Sequence, residues 1–91
     1  MTDSELRAII KETAMNEDMQ HAAAEVSADA STRYNTLDEI SKYIKEAFEK
    51  RYGNTWHCVV GKQFGSFVSY DGNDYILLHL ENLPILLFRC N

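Results

Sequence analysis

The order in which the hydrophobic spacing changes along this chain carries most of its information. A short apolar stretch at Leu6, Ala8, Ile9 and Ile10 comes first. Asn16 then stands where a helix cap belongs, followed by Glu17 and Asp18, acids suited to the positive end of a helix dipole. Met19, Ala22, Ala23, Val26 and Ala30 form a helix-spaced stripe of mostly small side chains, suited to close packing, and the pattern ends around Tyr34-Asn35. A second helix is predicted from Thr36, because Thr36-Leu37-Asp38-Glu39 has the capping-box form in which hydroxyl and carboxylate satisfy each other's backbone amides. Leu37, Ile40, Ile44, Phe48 and Tyr52 share one face of it, while Asp38 with Lys42 and Glu46 with Lys50 make (i, i+4) ion pairs on another. Gly53, after Lys50-Arg51, supplies the left-handed residue that stops the helix.

From Trp56 the period becomes two. Trp56, Cys58 and Val60 alternate with His57 and Val59, and Phe64, Ser66, Val68 and Tyr70 alternate with Gly65, Phe67 and Ser69. Asp71-Gly72 is a hairpin signal, a strand follows from Tyr75 to Leu80, and Glu81-Asn82 connects it tightly to a last strand, Leu83 to Arg89. The whole predicts an α+β fold: two N-terminal helices packed on an antiparallel sheet of four strands, with room for a short strand before them. Nothing marks an internal boundary, so residues 1–91 read as one domain. Ile76, Leu78 and Leu80 are expected to face the helices, leaving Tyr75, Leu77 and His79 on a second face too apolar for water, which a second copy of the chain would cover.

Composition narrows the function classes. With 91 residues, 45% of them hydrophobic and 25% charged, the chain has the proportions of an ordinary globular domain, at a size where an oligomer interface often completes the core. Its net charge of -5, with no basic cluster longer than Lys50-Arg51, lacks the electrostatic footprint of nucleic-acid or anionic-lipid binding. No apolar run reaches the ~20 residues of a membrane span, and Asp3, Glu5 and Arg7 do not make a signal peptide, so an intracellular protein is expected. Two cysteines, Cys58 and Cys90, are too few for a disulfide framework and fit a reducing compartment.

Candidate chemistry is sparse. His57 and Cys58 are adjacent, but strand alternation sends them to opposite faces and disfavours a catalytic dyad. His21, His57, His79, Cys58 and Cys90 show no zinc spacing, so no metal or cofactor is predicted. Gly61-Lys62-Gln63-Phe64-Gly65-Ser66 resembles a phosphate loop only superficially, since it lacks the Gly-Lys-Ser/Thr ending and no helix is expected after it. The chain is not expected to be an enzyme.

The segment YGNTWHCVVGKQFGSFVSY, from Tyr52 to Tyr70, closely resembles the hallmark of the eight-kilodalton dynein light chain family, usually Tyr-Asn-Pro-Thr-Trp-His-Cys-Ile-Val-Gly-Arg-Asn-Phe-Gly-Ser-Tyr-Val-Thr-His. The likeness extends through Ala14 to Gln20, Ile44 to Phe48 and Ile85 to Arg89. It implies a cytoplasmic, cytoskeleton-associated adaptor that is a strand-exchanged homodimer: the strand after Gly61 crosses to the partner, with His57, Gly61, Phe64, Ser66, Phe67 and Val68 at the dimer interface. Between that strand and the second helix the resemblance implies two symmetric grooves for extended peptides. Each peptide adds a strand beside Lys62, Gln63, Phe64, Gly65, Ser66, Phe67, Val68, Ser69 and Tyr70. Implied partners are a dynein intermediate chain or other dimeric proteins, for which paired grooves give effective concentration.

The resemblance also implies a histidine switch. Facing His57 copies would repel once protonated, the alternative being a satisfied core histidine. Several positions depart from the family. Leu37 and Asp38 stand where a Glu-Lys pair reads the glutamine of a Thr-Gln-Thr ligand core, although the amides of that helix start remain able to meet a ligand oxygen. The family's groove aromatics fall on Tyr75, Leu77 and His79, and a small residue falls on Pro84. Lys11 keeps the lysine of the groove end, but Glu12 and Ala14 replace Asn and Asp, and Cys90 replaces a serine that can be phosphorylated. Altered selectivity, or a fixed structural role in a motor or membrane-associated assembly, is the expected consequence.

Overall fold

The computed structural model describes residues 7–62 and 74–90. Its elements run β1 (Ala8–Thr13), α1 (Glu17–Arg33), α2 (Leu37–Tyr52), β2 (Trp56–Val60), β3 (Tyr75–Leu80) and β4 (Leu83–Arg89). The strands make one antiparallel sheet in the order β1-β3-β4-β2, so the two helices lie in sequence between the sheet's two outer strands. The short first apolar stretch is thus a full strand, paired to β3 from Ala8–Leu80 to Thr13–Ile76. The expected strand at 62–70 and the turn at Asp71-Gly72 fall on residues 63–73, outside those described, apart from Lys62.

Both helix starts follow from their caps. Asn16 Oδ1 accepts the Met19 N–H at 2.8 Å, with Glu17 and Asp18 in the first turn. Thr36 Oγ1 accepts the Glu39 N–H at 3.2 Å, but the returning half of the expected box differs: the Glu39 carboxylate accepts the Thr36 hydroxyl at 3.0 Å instead of the Thr36 amide. The surface pairing of α2 also differs from the expectation. Its ion pair is Lys45–Glu49 at 2.7 Å, not Asp38–Lys42 or Glu46–Lys50. Glu49 is held in place because its carboxylate also accepts the Trp56 N–H at 3.0 Å, and a pre-positioned acceptor costs less entropy to pair than two free side chains. Gly53 ends α2 with φ +87° and ψ 179°, a conformation open to glycine rather than the helical left-handed one, and gives its N–H to the Glu49 carbonyl at 2.9 Å.

The core lies between the helices and one face of the sheet. Ala22, Ala23 and Ala30 of α1 let it approach closely, and Ile40, Ile44 and Phe48 of α2 join Trp56, Val60, Ile76, Leu78, Leu80, Ile85 and Leu87 from the strands. Ser27 is also completely buried on α1, and its hydroxyl has no hydrogen-bond partner among the described residues. Leu37 departs from its stripe: it is 48% exposed and belongs to the surface, not the core. Ile76, Leu78 and Leu80 face the helices as expected. On the other face, Leu77 pairs with Leu86 and both are already buried in the single chain, so this pair does not by itself require a second copy to cover it.

Candidate functional site

The β2 side of the sheet is built around Trp56. Its ring is fully buried, 4.9 Å from Phe48 in an edge-on contact and 6.3 Å from Tyr52, with the Arg89 guanidinium 4.8 Å above it. Arg89 donates to the Tyr52 carbonyl at 2.7 Å and to Asp74 at 3.1 Å, so one side chain ties the end of α2, the start of β3 and the end of β4 together. The Glu49 carboxylate, receiving Lys45 and the Trp56 N–H, is held below its ordinary range, first by the lysine and then by that backbone donor. Every residue of β2 pairs with β4 without a break, from Trp56–Arg89 to Val60–Ile85. Among the described residues β4 is the one strand beside it, leaving its other edge for further pairing.

At the far end of β2, three of the expected site residues meet. Gly61 adopts φ +89° and donates its N–H to the Pro84 carbonyl at 2.8 Å. The Leu37 side chain lies on it, so that a Cβ at Gly61 would stand only 2.7 Å from Leu37 Cδ1. Asp38 and Lys62 are exposed beside this corner in sequence. The amides of Glu39 and Ile40 are engaged by Thr36, which leaves those of Leu37 and Asp38 outside the cap.

The remaining residues divide between the far face and the opposite edge. Tyr75, Leu77 and His79 of β3 stand against Phe88, Leu86 and Pro84 of β4. His57, on β2, is exposed and stacked on Phe88 with ring centres 5.4 Å apart, so within the single chain it is not a core histidine. Lys11 lies on β1, at the edge of the sheet opposite β2, and is not brought to the Leu37 corner within one chain. Beside it the Tyr75 hydroxyl donates to Glu12 at 3.4 Å, and burial, then the Glu12 charge, raises its pKa. Gln63, Phe64, Gly65, Ser66, Phe67, Val68, Ser69 and Tyr70 lie outside the described residues.

Sequence reasoning missed one polar cluster. Tyr43 of α2 donates its hydroxyl to Asp29 of α1, and Arg33 reaches the same carboxylate at 3.1 Å. The tyrosine and then the arginine lower the Asp29 pKa, and the bond to Asp29 raises that of Tyr43. The (i, i+4) spacing of Asp29 and Arg33 was the available signal; the tyrosine comes from another helix and leaves no local one.

Catalytic chemistry finds no support in the thiol. Burial pushes Cys58 up to about 12, which keeps it protonated and a poor nucleophile. Among the described residues no three His, Cys, Asp or Glu side chains gather as a metal site would require, and no helix is long and apolar enough to cross a membrane.

A family model described as dynein light chain type 1 matches residues 7–90. A protein of Emericella nidulans, "Dynein light chain, cytoplasmic", is 46% identical over 80 residues, 88% of this chain and 85% of that protein. The dynein light chain-like domain of the Fasciola hepatica calcium binding protein FhCaBP2 superposes with a TM-score of 0.84, covering 100% of this chain and 98% of that one at 17% identity. The DLC-like domain of CsTAL3 does so with a TM-score of 0.75, over 90% of each chain and again at 17% identity. At that identity these two structures establish the fold alone.

Proposed function

This chain belongs to the dynein light chain family, and on that premise we propose that it works as a homodimer gripping extended peptide segments of partner proteins by strand addition. Its role is that of a non-catalytic, dynein-associated adaptor in the cytoplasm. The observation that supports the finer reading is β2 itself: it pairs with β4 in unbroken register on its inner side, has no strand on its outer side among the described residues, is anchored at Trp56, and ends at Gly61 beside the start of α2. An edge of that kind offers backbone donors and acceptors in regular order, which is what an added strand needs. The residues from Lys62 to Tyr70 supply the exchanged strand, and His57 and Gly61 stand at the dimer seam. A dynein intermediate chain, or another dimeric protein with a strand-forming motif, is the fitting partner. Two grooves related by a two-fold axis turn its second engagement into an intramolecular one.

Sedimentation equilibrium combined with a calorimetric titration tests this reading. A dimer that takes up one strand-forming peptide per protomer supports it. A monomer that binds no such peptide overturns it, and a dimer that binds none reduces the protein to a fixed structural subunit.

A further inference from the structure

We infer that the corner where α2 begins reads an aliphatic side chain of the bound peptide, and that Leu37 is the residue that sets this preference; the inference rests on the strand-addition reading above. The polar side-chain atoms of this helix start are largely turned inward on their own turn. Thr36 Oγ1 accepts the Glu39 N–H and gives its hydrogen to the Glu39 carboxylate at 3.0 Å, and the Ser41 hydroxyl donates to the Asp38 carbonyl at 3.0 Å. What the first turn presents toward the end of β2 is the Leu37 side chain, 48% exposed and resting on the Gly61 backbone.

Gly61 in turn is fixed to Pro84 by its 2.8 Å hydrogen bond, so the ground beneath Leu37 is rigid. A peptide strand laid along this end of the sheet would bring one alternate side chain toward those methyl groups. An aliphatic side chain there removes apolar surface from water on both partners, whereas a carboxamide set against the Leu37 methyl groups loses water there and gains no hydrogen bond from that side chain. An acidic side chain is disfavoured further by the exposed carboxylates of Asp38 and Glu39 in the same turn. The amides of Leu37 and Asp38, outside the cap, remain suited to the peptide main chain and do not discriminate between side chains.

The test is a calorimetric titration of the full chain with two peptides that differ at one position, one with a Thr-Gln-Thr core and one with leucine in place of the glutamine. The leucine peptide is expected to bind about tenfold more tightly, in keeping with the partial burial of one aliphatic side chain. Leu37→Glu, on a surface position, should reverse the order while leaving the urea midpoint near the wild-type value. A wild-type preference for glutamine, or equal affinities, overturns this inference and leaves the groove reading standing. Absence of binding by either peptide removes the groove reading, and this inference with it.

Discussion

Among the described residues the two outer strands of the sheet are both edges, yet they differ in how regular they are. β1 carries exposed Ile9 and Ile10, and its pairing with β3 is broken by a register shift between Ile10 and Glu12, with Lys11 at the irregularity. A bulge and a lysine on an outer strand are the usual means by which a protein discourages an unwanted neighbour. β2 has no such break. It runs in continuous register, buries Trp56 and Val60 against the helices, and ends in the Gly61 turn against Leu37. On the proposed reading, the edge that accepts a strand is set apart by a regular backbone and a buried anchor, and not by exposed apolar side chains.

The strongest way to break this contrast is to remove the anchor. Trp56→Ala should cost about 3–5 kcal/mol, the range for large-to-small changes of a buried aromatic, and urea denaturation would measure it. A loss near that of an exposed substitution would mean that β2 does not depend on its tryptophan.

A smaller effect is expected at the other end of the strand. Gly61→Ala places a Cβ at φ +89° and against Leu37, and should cost about 1–2 kcal/mol for the backbone conformation together with a contact penalty. Adding Leu37→Ala should recover the contact part and leave the backbone part, so a double-mutant cycle by denaturation separates the two.

Acid sharpens the comparison further. The folded state holds Glu49 below its ordinary pKa, so its contribution is fully present above the unfolded carboxylate range and is lost as the pH falls through the lower folded value. Glu49→Gln should accordingly flatten part of the loss of stability on acidification, measured as the urea midpoint between neutral and strongly acidic pH. Peptide affinity at neutral pH should fall modestly as the Trp56 N–H loses a charged acceptor. The least effect belongs to β1: Ile9→Lys should change stability by no more than about 0.5 kcal/mol and leave peptide binding unaltered in the same titration. Loss of binding there would place the working edge on the wrong side of the sheet.

Local chemistry explains which parts of this architecture were legible beforehand. Asn16, Thr36 and Gly53 act on their own neighbours through one or two hydrogen bonds, so the helix limits could be read from adjacent letters. The alternation of Trp56, Cys58 and Val60, and of Ile76, Leu78 and Leu80, likewise announces which side faces the helices. The bulge near Lys11 depends on how β1 meets β3, a pairing across more than sixty residues, and has no local sign. Leu37 fits the apolar stripe of α2 by spacing, but the helix starts beyond the core's edge, so its exposure depends on where the sheet ends. The same holds for the choice of Lys45–Glu49 over equally spaced alternatives, which Trp56 decides from outside the helix. Of the candidate site, Leu37, Gly61 and Pro84 were singled out separately through resemblance, while their meeting at one corner and the self-contained polar bonding at Thr36, Glu39 and Ser41 depend on the folded chain.

Trp56 is the only tryptophan of the chain, and its indole N–H is buried with no hydrogen-bond partner among the described residues, the Arg89 guanidinium lying over the ring. The protein therefore carries one natural fluorophore of this kind, placed at the start of β2, the outer strand that leads to Gly61. Its emission in the native state reports a single buried environment free of competing indoles, and exposure of the ring on loosening of β2 would move that emission to the red. An optical record of this edge is thus available without any added label.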